Sequence, residues 1–336
     1  MSYNKPFKTF EQQIQHLKDR HGLEINDDNF AKEALKNLSY YDLINGYKEC
    51  FQDSNERYLP GYSIEYLYSF HEFDRDFQNI LFKYSVYVET RFKNILAYRI
   101  SMQYGVHADD YLNKKHYMQP QNKSQSNIFN QAMKRLKQIT NKRYPDQPSH
   151  HYNNNHNHTP AWILFKNAYW SDCSDLYSFL KTEDKDYVVN ELLSSKINNK
   201  YRKEIFSNSL FIVRKFRNKI AHPGKFMTFK VGSKKQISYS KIRPLFNNTF
   251  IKGSDFRKAD IGRNAYAMIL SIIMLLGDQY KIQTFLLELS QLIDITVNQN
   301  RNSEIWDIYS KFSGIPIDFI DRAIKYTKTQ QMENRY

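Results

Sequence analysis

Between residues 62 and 104 the chain repeats its inward residues at alternating steps of four and three: Phe77, Leu81, Tyr84, Val88, Arg91, Ile95, Tyr98 and Met102. A stripe with this spacing follows one face of an α-helix, so the segment is expected to be one long helix or two in line. Shorter stripes of the same kind occupy much of the remaining chain. One covers residues 9–20, with Thr9 as its cap and Gly22 as its stop, and another starts near Asp27. Others lie at 128–143, 173–180, 183–193, 255–276, 280–297, 305–312 and 317–326. The fold class that follows is all-α, a multi-helix bundle, interrupted by a small hairpin around residues 232–235 in KFMTFKVGSKKQISYS. The sequence contains no glycine-rich phosphate loop and no nucleotide fingerprint.

Arg91 stands in the long stripe where apolar residues are expected, and the acids Asp74 and Glu89 lie near it in sequence. A second arginine does the same in LFIVRKFRNKIAHPGK, residues 210–225. There Phe206, Leu210, Val213, Arg217 and Ile220 share the inward face. A buried guanidinium is costly without an anion, so each arginine implies an internal carboxylate or an anionic ligand. Together they suggest a polar seam inside an apolar bundle. Asn218 follows Arg217 directly. Pro223 disfavours helical geometry at His222, so the helix is expected to end near Ala221 and leave the imidazole free to swing beside Arg217. Histidine can move a proton near neutral pH and arginine can hold a phosphate, which suits phosphodiester chemistry. A plainer reading makes Arg217 a structural partner of a core carboxylate and His222 a residue favoured at a helix C-terminus. From this stretch alone the plainer reading leads. Arg143 and His150 have a similar spacing in RYPDQPSH, a proline-broken stretch read as loop.

The net charge of +14 favours an acidic partner, and nucleic acid is the commonest one. The abundance of Asn, Lys, Ile and Tyr, which AT-rich coding yields without any function, keeps that inference modest. Arg214, Lys215, Lys219 and Lys225 surround Arg217 as candidate RNA contacts. Cys50 and Cys173 form neither a disulfide framework nor a zinc pattern, so a reducing cytoplasm is expected. No signal peptide opens the sequence, and its longest apolar run, residues 265–276, is too short to span a bilayer. Residues 144–158, YPDQPSHHYNNNHNH, read as a flexible insertion. Its histidines, His150, His151, His156 and His158, lack the carboxylate or cysteine that would complete a ligand set, so neither metal nor cofactor is expected.

Four stretches resemble the Abi family of bacterial abortive-infection proteins of the AbiD and AbiF type: KPFKTFEQQIQHLKDRHGLEI at 5–25, SYYDLINGY at 39–47, YSFHEFDRDFQNILFKYSVYVETRF at 68–92 and VRKFRNKIAH at 213–222. The last also resembles the arginine, polar residue and histidine signature of the HEPN superfamily, many of whose members are metal-independent ribonucleases. After the histidine the family often continues with a second histidine and an aromatic Asn segment, where this chain has Pro223, Gly224 and Lys225. The resemblance implies one Abi-like unit over 1–336, with an N-terminal helical part at 1–61, a HEPN-like core at 62–225 and C-terminal helices at 226–336. It makes Arg217, Asn218 and His222 the catalytic residues; Glu89 and Arg91, from the stripe of the long helix, are expected behind them. The implied activity is that of an endoribonuclease leaving 2′,3′-cyclic phosphate ends, a phage-defence toxin restrained by a noncoding RNA or a partner protein. A homodimer with facing RNKIAH segments is expected, since one chain carries one copy of the motif. The competing class is a non-catalytic RNA-binding module or a phage sensor of the same fold.

Overall fold

A computed structural model describes residues 5–222, 226–257, 260–299 and 303–333. Sixteen α-helices and no strand form among them. The first eight are α1 (Phe10–His21), α2 (Asp28–Tyr40), α3 (Lys48–Phe51), α4 (Ile64–Tyr104), α5 (Ala108–Tyr111), α6 (Lys123–Ile139), α7 (Ser149–Asn155) and α8 (Ala161–Asn167). The rest are α9 (Trp170–Ser178), α10 (Thr182–Leu192), α11 (Asn199–Ala221), α12 (Tyr239–Phe250), α13 (Ala265–Leu276), α14 (Gln279–Asp294), α15 (Ser303–Ser313) and α16 (Phe319–Glu333). The all-α class is as the periodicity requires.

Local chemistry sets several ends. Thr9 and Gln12 form a reciprocal capping box on α1, with the Thr9 N–H donating to Gln12 Oε1 at 2.9 Å and the Gln12 N–H to Thr9 Oγ1 at 3.3 Å. Asp27 caps α2 by accepting from the N–H groups of Asn29 and Phe30. In α13 all twelve residues are buried, so this helix has no polar face and packs inside the molecule against α11 and α4. α4 is one uninterrupted helix of 41 residues and also touches α8, α10 and α14.

The stripe along α4 holds only in its first half. Phe77, Leu81, Tyr84 and Val88 are buried, but Tyr98 and Met102 are 58% and 51% exposed, and the core takes Phe92, Leu96, Ala97 and Ile100 instead. A four-three repeat averages 3.5 residues per turn against 3.6 for the helix, a drift of ~20° per heptad and about 70° over this span. Arg91 sits where the stripe is leaving the core. Its guanidinium donates to the carbonyls of Glu191 (2.6 Å), Leu192 (3.1 Å) and Leu275 (2.7 Å), which end α10 and α13. The expected seam of arginine and acid does not form there. Asp74 is buried on tyrosine hydroxyls instead, with Tyr47 and Tyr309 each donating at 2.9 Å.

Two more expectations are corrected, and one helix appears where none was expected. Residues 144–158 contain α7 rather than an irregular insertion. It is fixed by Asn153, whose amide donates to the carbonyls of Ile139 (2.7 Å) and Asn141 (2.8 Å) and accepts from Thr159. The hairpin around residues 232–235 is a loop, because the N–H groups of Val231 and Ile237 go to the carbonyls of Arg263 and Gly262 rather than across to each other. Residues 239–250 form α12 despite Pro244 inside it.

α4 and α11 run antiparallel. Phe92 meets Phe206 with ring centroids 6.2 Å apart, Phe82 lies under Arg217, and Arg75 and Gln78 share a cavity with Ile220 and Ala221. Rising numbers on α11 thus meet falling numbers on α4.

Candidate functional site

α11 opens on Asn198, whose side chain accepts from the Lys200 N–H, and buries Ile205, Phe206, Ile212, Val213, Phe216 and Ile220 against α4 and α13. It closes at Ala221. His222 then adopts extended geometry, φ −121° and ψ 141°, as a residue before proline should. The imidazole is exposed and has no hydrogen-bond partner among the described residues.

Arg217 is half-buried rather than inward; Phe216 takes the core position beside it. The Arg217 guanidinium lies 5.5 Å from the Phe82 ring centroid, a cation–π contact. Nη1 donates to Asn218 Oδ1 at 3.2 Å, and Nη2 is 3.8 Å from Glu89 Oε2, too long for a hydrogen bond. Nε is buried with no partner. Other arginines in the bundle are far better satisfied. Arg322 bonds to Asp318 (2.7 Å), to both oxygens of Asp255 (2.5 and 3.2 Å) and to the Phe250 carbonyl (3.3 Å). Arg202 also buries an unpartnered Nε but holds the carbonyls of Leu193 and Ser194 through both terminal nitrogens, and Arg91 holds three carbonyls.

Glu89 does reach Arg217, but its close partner is Lys93 at 2.6 Å, one helical turn along α4. Lys93 also donates to the Ala168 carbonyl at 2.7 Å. Two cations therefore share one carboxylate, and the group keeps one net positive charge. A recess of about 200 Å³ opens beside them, lined among others by Glu89, Lys93, Trp162, Lys166 and Arg217. Lys166 adds to its positive potential. Trp162, 45% exposed, offers an aromatic face. A recess of this size and charge fits a phosphate group better than a whole ligand. Lys93, Trp162 and Lys166 were not singled out from sequence. The Glu89 and Lys93 pair, four residues apart, was the readable signal.

A family model described as Abi-like protein matches residues 33–228, more than half of the chain. The chain belongs to the Abi-like protein family. In this Abi-like protein the match takes in SYYDLINGY, α4 and all of α11, and leaves α12 to α16 outside. No curated protein and no solved structure gives a match. The family points to abortive-infection phage defence.

The remaining basic residues of α11 divide. Lys215 is exposed with its ammonium 5.5 Å from the Phe211 ring, and Lys219 lies 6.0 Å from the Phe229 ring. Arg214 is half-buried, and desolvation lowers its pKa against the opposing pull of Asp175. It is the least available of these for RNA. Lys225, with Pro223 and Gly224, lies outside the described residues. Arg91, expected behind the site, serves helix ends elsewhere. No described helix is long and apolar enough to cross a membrane, and no described group of three His, Cys, Asp or Glu residues is placed to hold a metal ion.

Proposed function

We propose that this Abi-like protein is an endoribonuclease of HEPN type that arrests infected cells by cutting RNA at the end of α11. The carrying observation is the unsaturated guanidinium of Arg217, which keeps donors free beside a recess with surplus positive charge. A phosphodiester would complete those donors and would strengthen its hold as charge builds in the transition state. The ribose 2′-hydroxyl attacks its own phosphate, Arg217 stabilises the equatorial oxygens, Asn218 orients the guanidinium through their shared hydrogen bond, and His222 moves a proton. The products are a 2′,3′-cyclic phosphate and a 5′-hydroxyl. Nothing in this scheme draws on a metal, so cleavage is expected to continue in chelator.

The exposure of His222 favours a second reading. A catalytic imidazole usually has one ring nitrogen fixed by a neighbour, and none of the described residues does this for His222. A non-catalytic RNA-binding module would tolerate that freedom. Purified wild-type and His222→Ala proteins incubated with cellular RNA separate the two. Loss of new cyclic-phosphate ends in the variant, with RNA binding retained, supports the ribonuclease; equal cleavage by both proteins refutes it.

A further inference from the structure

Ile220 and Ala221, the last two residues of α11, form one wall of a cavity of about 370 Å³ whose other walls come from Lys36, Asn37 and Leu38 of α2, SYYDLINGY and α4. Its volume falls in the range of small-ligand sites. A relay of polar groups lies along it. Asp74 accepts from Tyr309 at Oδ1 and from Tyr47 at Oδ2. Tyr47 has one hydroxyl proton and gives it to Asp74, so its oxygen accepts from Nδ1–H of His71, 3.0 Å away. In that tautomer Nε2 of His71 carries a lone pair, and it has no partner among the described residues.

Arg75 lines the same cavity. Its guanidinium makes a single long bond, 3.3 Å to Gln78 Oε1, and no ion pair among the described residues. The rim is built on an unusual turn. Ser39 holds φ 55° and ψ 150°, a region that residues with a side chain rarely enter, and its hydroxyl donates to Asp42 Oδ2 at 2.9 Å. At Gly46 a Cβ would lie 2.2 Å from the Asp42 carbonyl oxygen. Gly46 is there for room alone, whereas strain such as that at Ser39 persists where the surroundings hold it and clusters at ligand sites. Tyr41, 65% exposed, leaves a free ring beside the opening.

His71, with an imidazole lone pair, and Arg75, with an underused guanidinium, line one void, and the pair fits a ligand that carries both a hydroxyl and an anion. We propose that this cavity seats one unpaired ribonucleotide of the RNA, its phosphate on Arg75, its 2′-hydroxyl on Nε2 of His71 and its base against Tyr41. The assignment rests on the RNA-cleaving reading above and adds to it a seat for a nucleotide beside the one that is cut, since Ile220 and Ala221 place the cavity at the end of α11 while Arg217 lies farther along α4, at Phe82 and Glu89.

The test measures binding of the four ribonucleoside 3′-monophosphates and their 2′-deoxy counterparts by calorimetry, on full-length wild-type, Arg75→Gln, His71→Leu and His222→Ala proteins, with circular dichroism to check folding. At least one ribonucleotide is expected to bind wild type and His222→Ala alike, tenfold or more tighter than its deoxy form. Arg75→Gln should weaken binding at least tenfold, and His71→Leu should erase the preference for ribose and raise the KM for RNA cleavage about tenfold with kcat little changed. Should His71→Leu lose its helical spectrum, Tyr41→Ala, an exposed ring, should weaken binding about tenfold by removing a stacking face. No nucleotide binding to wild type, binding indifferent to Arg75→Gln, or equal affinity for ribose and deoxyribose would overturn the assignment. Nucleotide binding without any RNA cleavage refutes the ribonuclease reading alone, and cleavage without nucleotide binding refutes the cavity assignment alone.

Discussion

Replacing Arg91 or Arg217 with methionine tests whether the two arginines of the α4 and α11 pair have different tasks. Arg91 donates to three carbonyls at the C-terminal ends of α10 and α13, and at Gly277 an added Cβ would stand 2.3 Å from its Cζ. The bond to Glu191 is exposed, so water replaces it in the variant. The bonds to Leu192 and Leu275 are partly shielded, and charged hydrogen bonds of this kind contribute ~1.5 kcal/mol or more each. Arg91→Met should therefore cost about 3 kcal/mol. With an unfolding entropy of ~2.1 cal/mol/K per residue, a chain of 336 residues should lose about 4 °C in Tm. Arg217→Met removes one bond to an exposed neighbour and one ion pair at 3.8 Å, while the new thioether keeps contact with Phe82. Its stability should stay within about 1 kcal/mol of wild type, yet RNA cleavage should fall at least ~100-fold, the scale of a lost transition-state donor. Scanning calorimetry beside an RNA-end assay reads both quantities. An Arg217→Met protein as unstable as Arg91→Met, with cleavage intact, would make Arg217 a structural arginine and refute the assignment.

Two further outcomes concern stability. Asn153→Ala leaves the Ile139 and Asn141 carbonyls and the Thr159 hydroxyl without their partner, so it should cost about 2–3 kcal/mol and open residues 144–158 to limited proteolysis; a protease map unchanged from wild type would mean α7 is held by other contacts. Burial, then Arg75, lowers the His71 pKa below its ordinary 6.5, with Asp42 opposing. Between the lowered folded value and 6.5 the unfolded chain binds more protons, so stability contributed at neutral pH is lost as pH falls through that window. The urea midpoint of wild type should drop between pH 7.5 and pH 5.5 by more than that of His71→Leu, and parallel drops would show that His71 is not the responsible group.

Sequence reasoning worked where a single local rule governs. The cap at Thr9, the stop at Gly22 and the end of α11 before Pro223 all depend on residues within one turn of each other. It went astray where distance along the chain mattered. The four-three repeat in α4 put Arg91 inward because the small mismatch with the true helical period accumulates unseen. α7 was read as irregular because its hold depends on one buried amide, Asn153, reaching carbonyls twelve and fourteen residues away. The cavity was hidden for the same reason. His71 and Arg75 read as ordinary polar positions on a long helix and Asp74 as part of a seam with arginine, and only Tyr47 from one side and Tyr309 from the far end of the chain turn His71 and Asp74 into a relay.

The unbroken course of α4 has a consequence for how such a chain can vary by descent. His71 and Glu89 hang from the same rod, eighteen positions apart, which is about 27 Å along its axis. A codon gained or lost between them would swing everything beyond it by about 100°, so the Arg75 side and the Phe82 side could not both keep facing α11. Seven codons would restore the facing but carry the groups about 10 Å past their partners. Substitutions can wander along this stretch, but its residue count is locked, and insertions and deletions in the lineage should fall in the loops on either side.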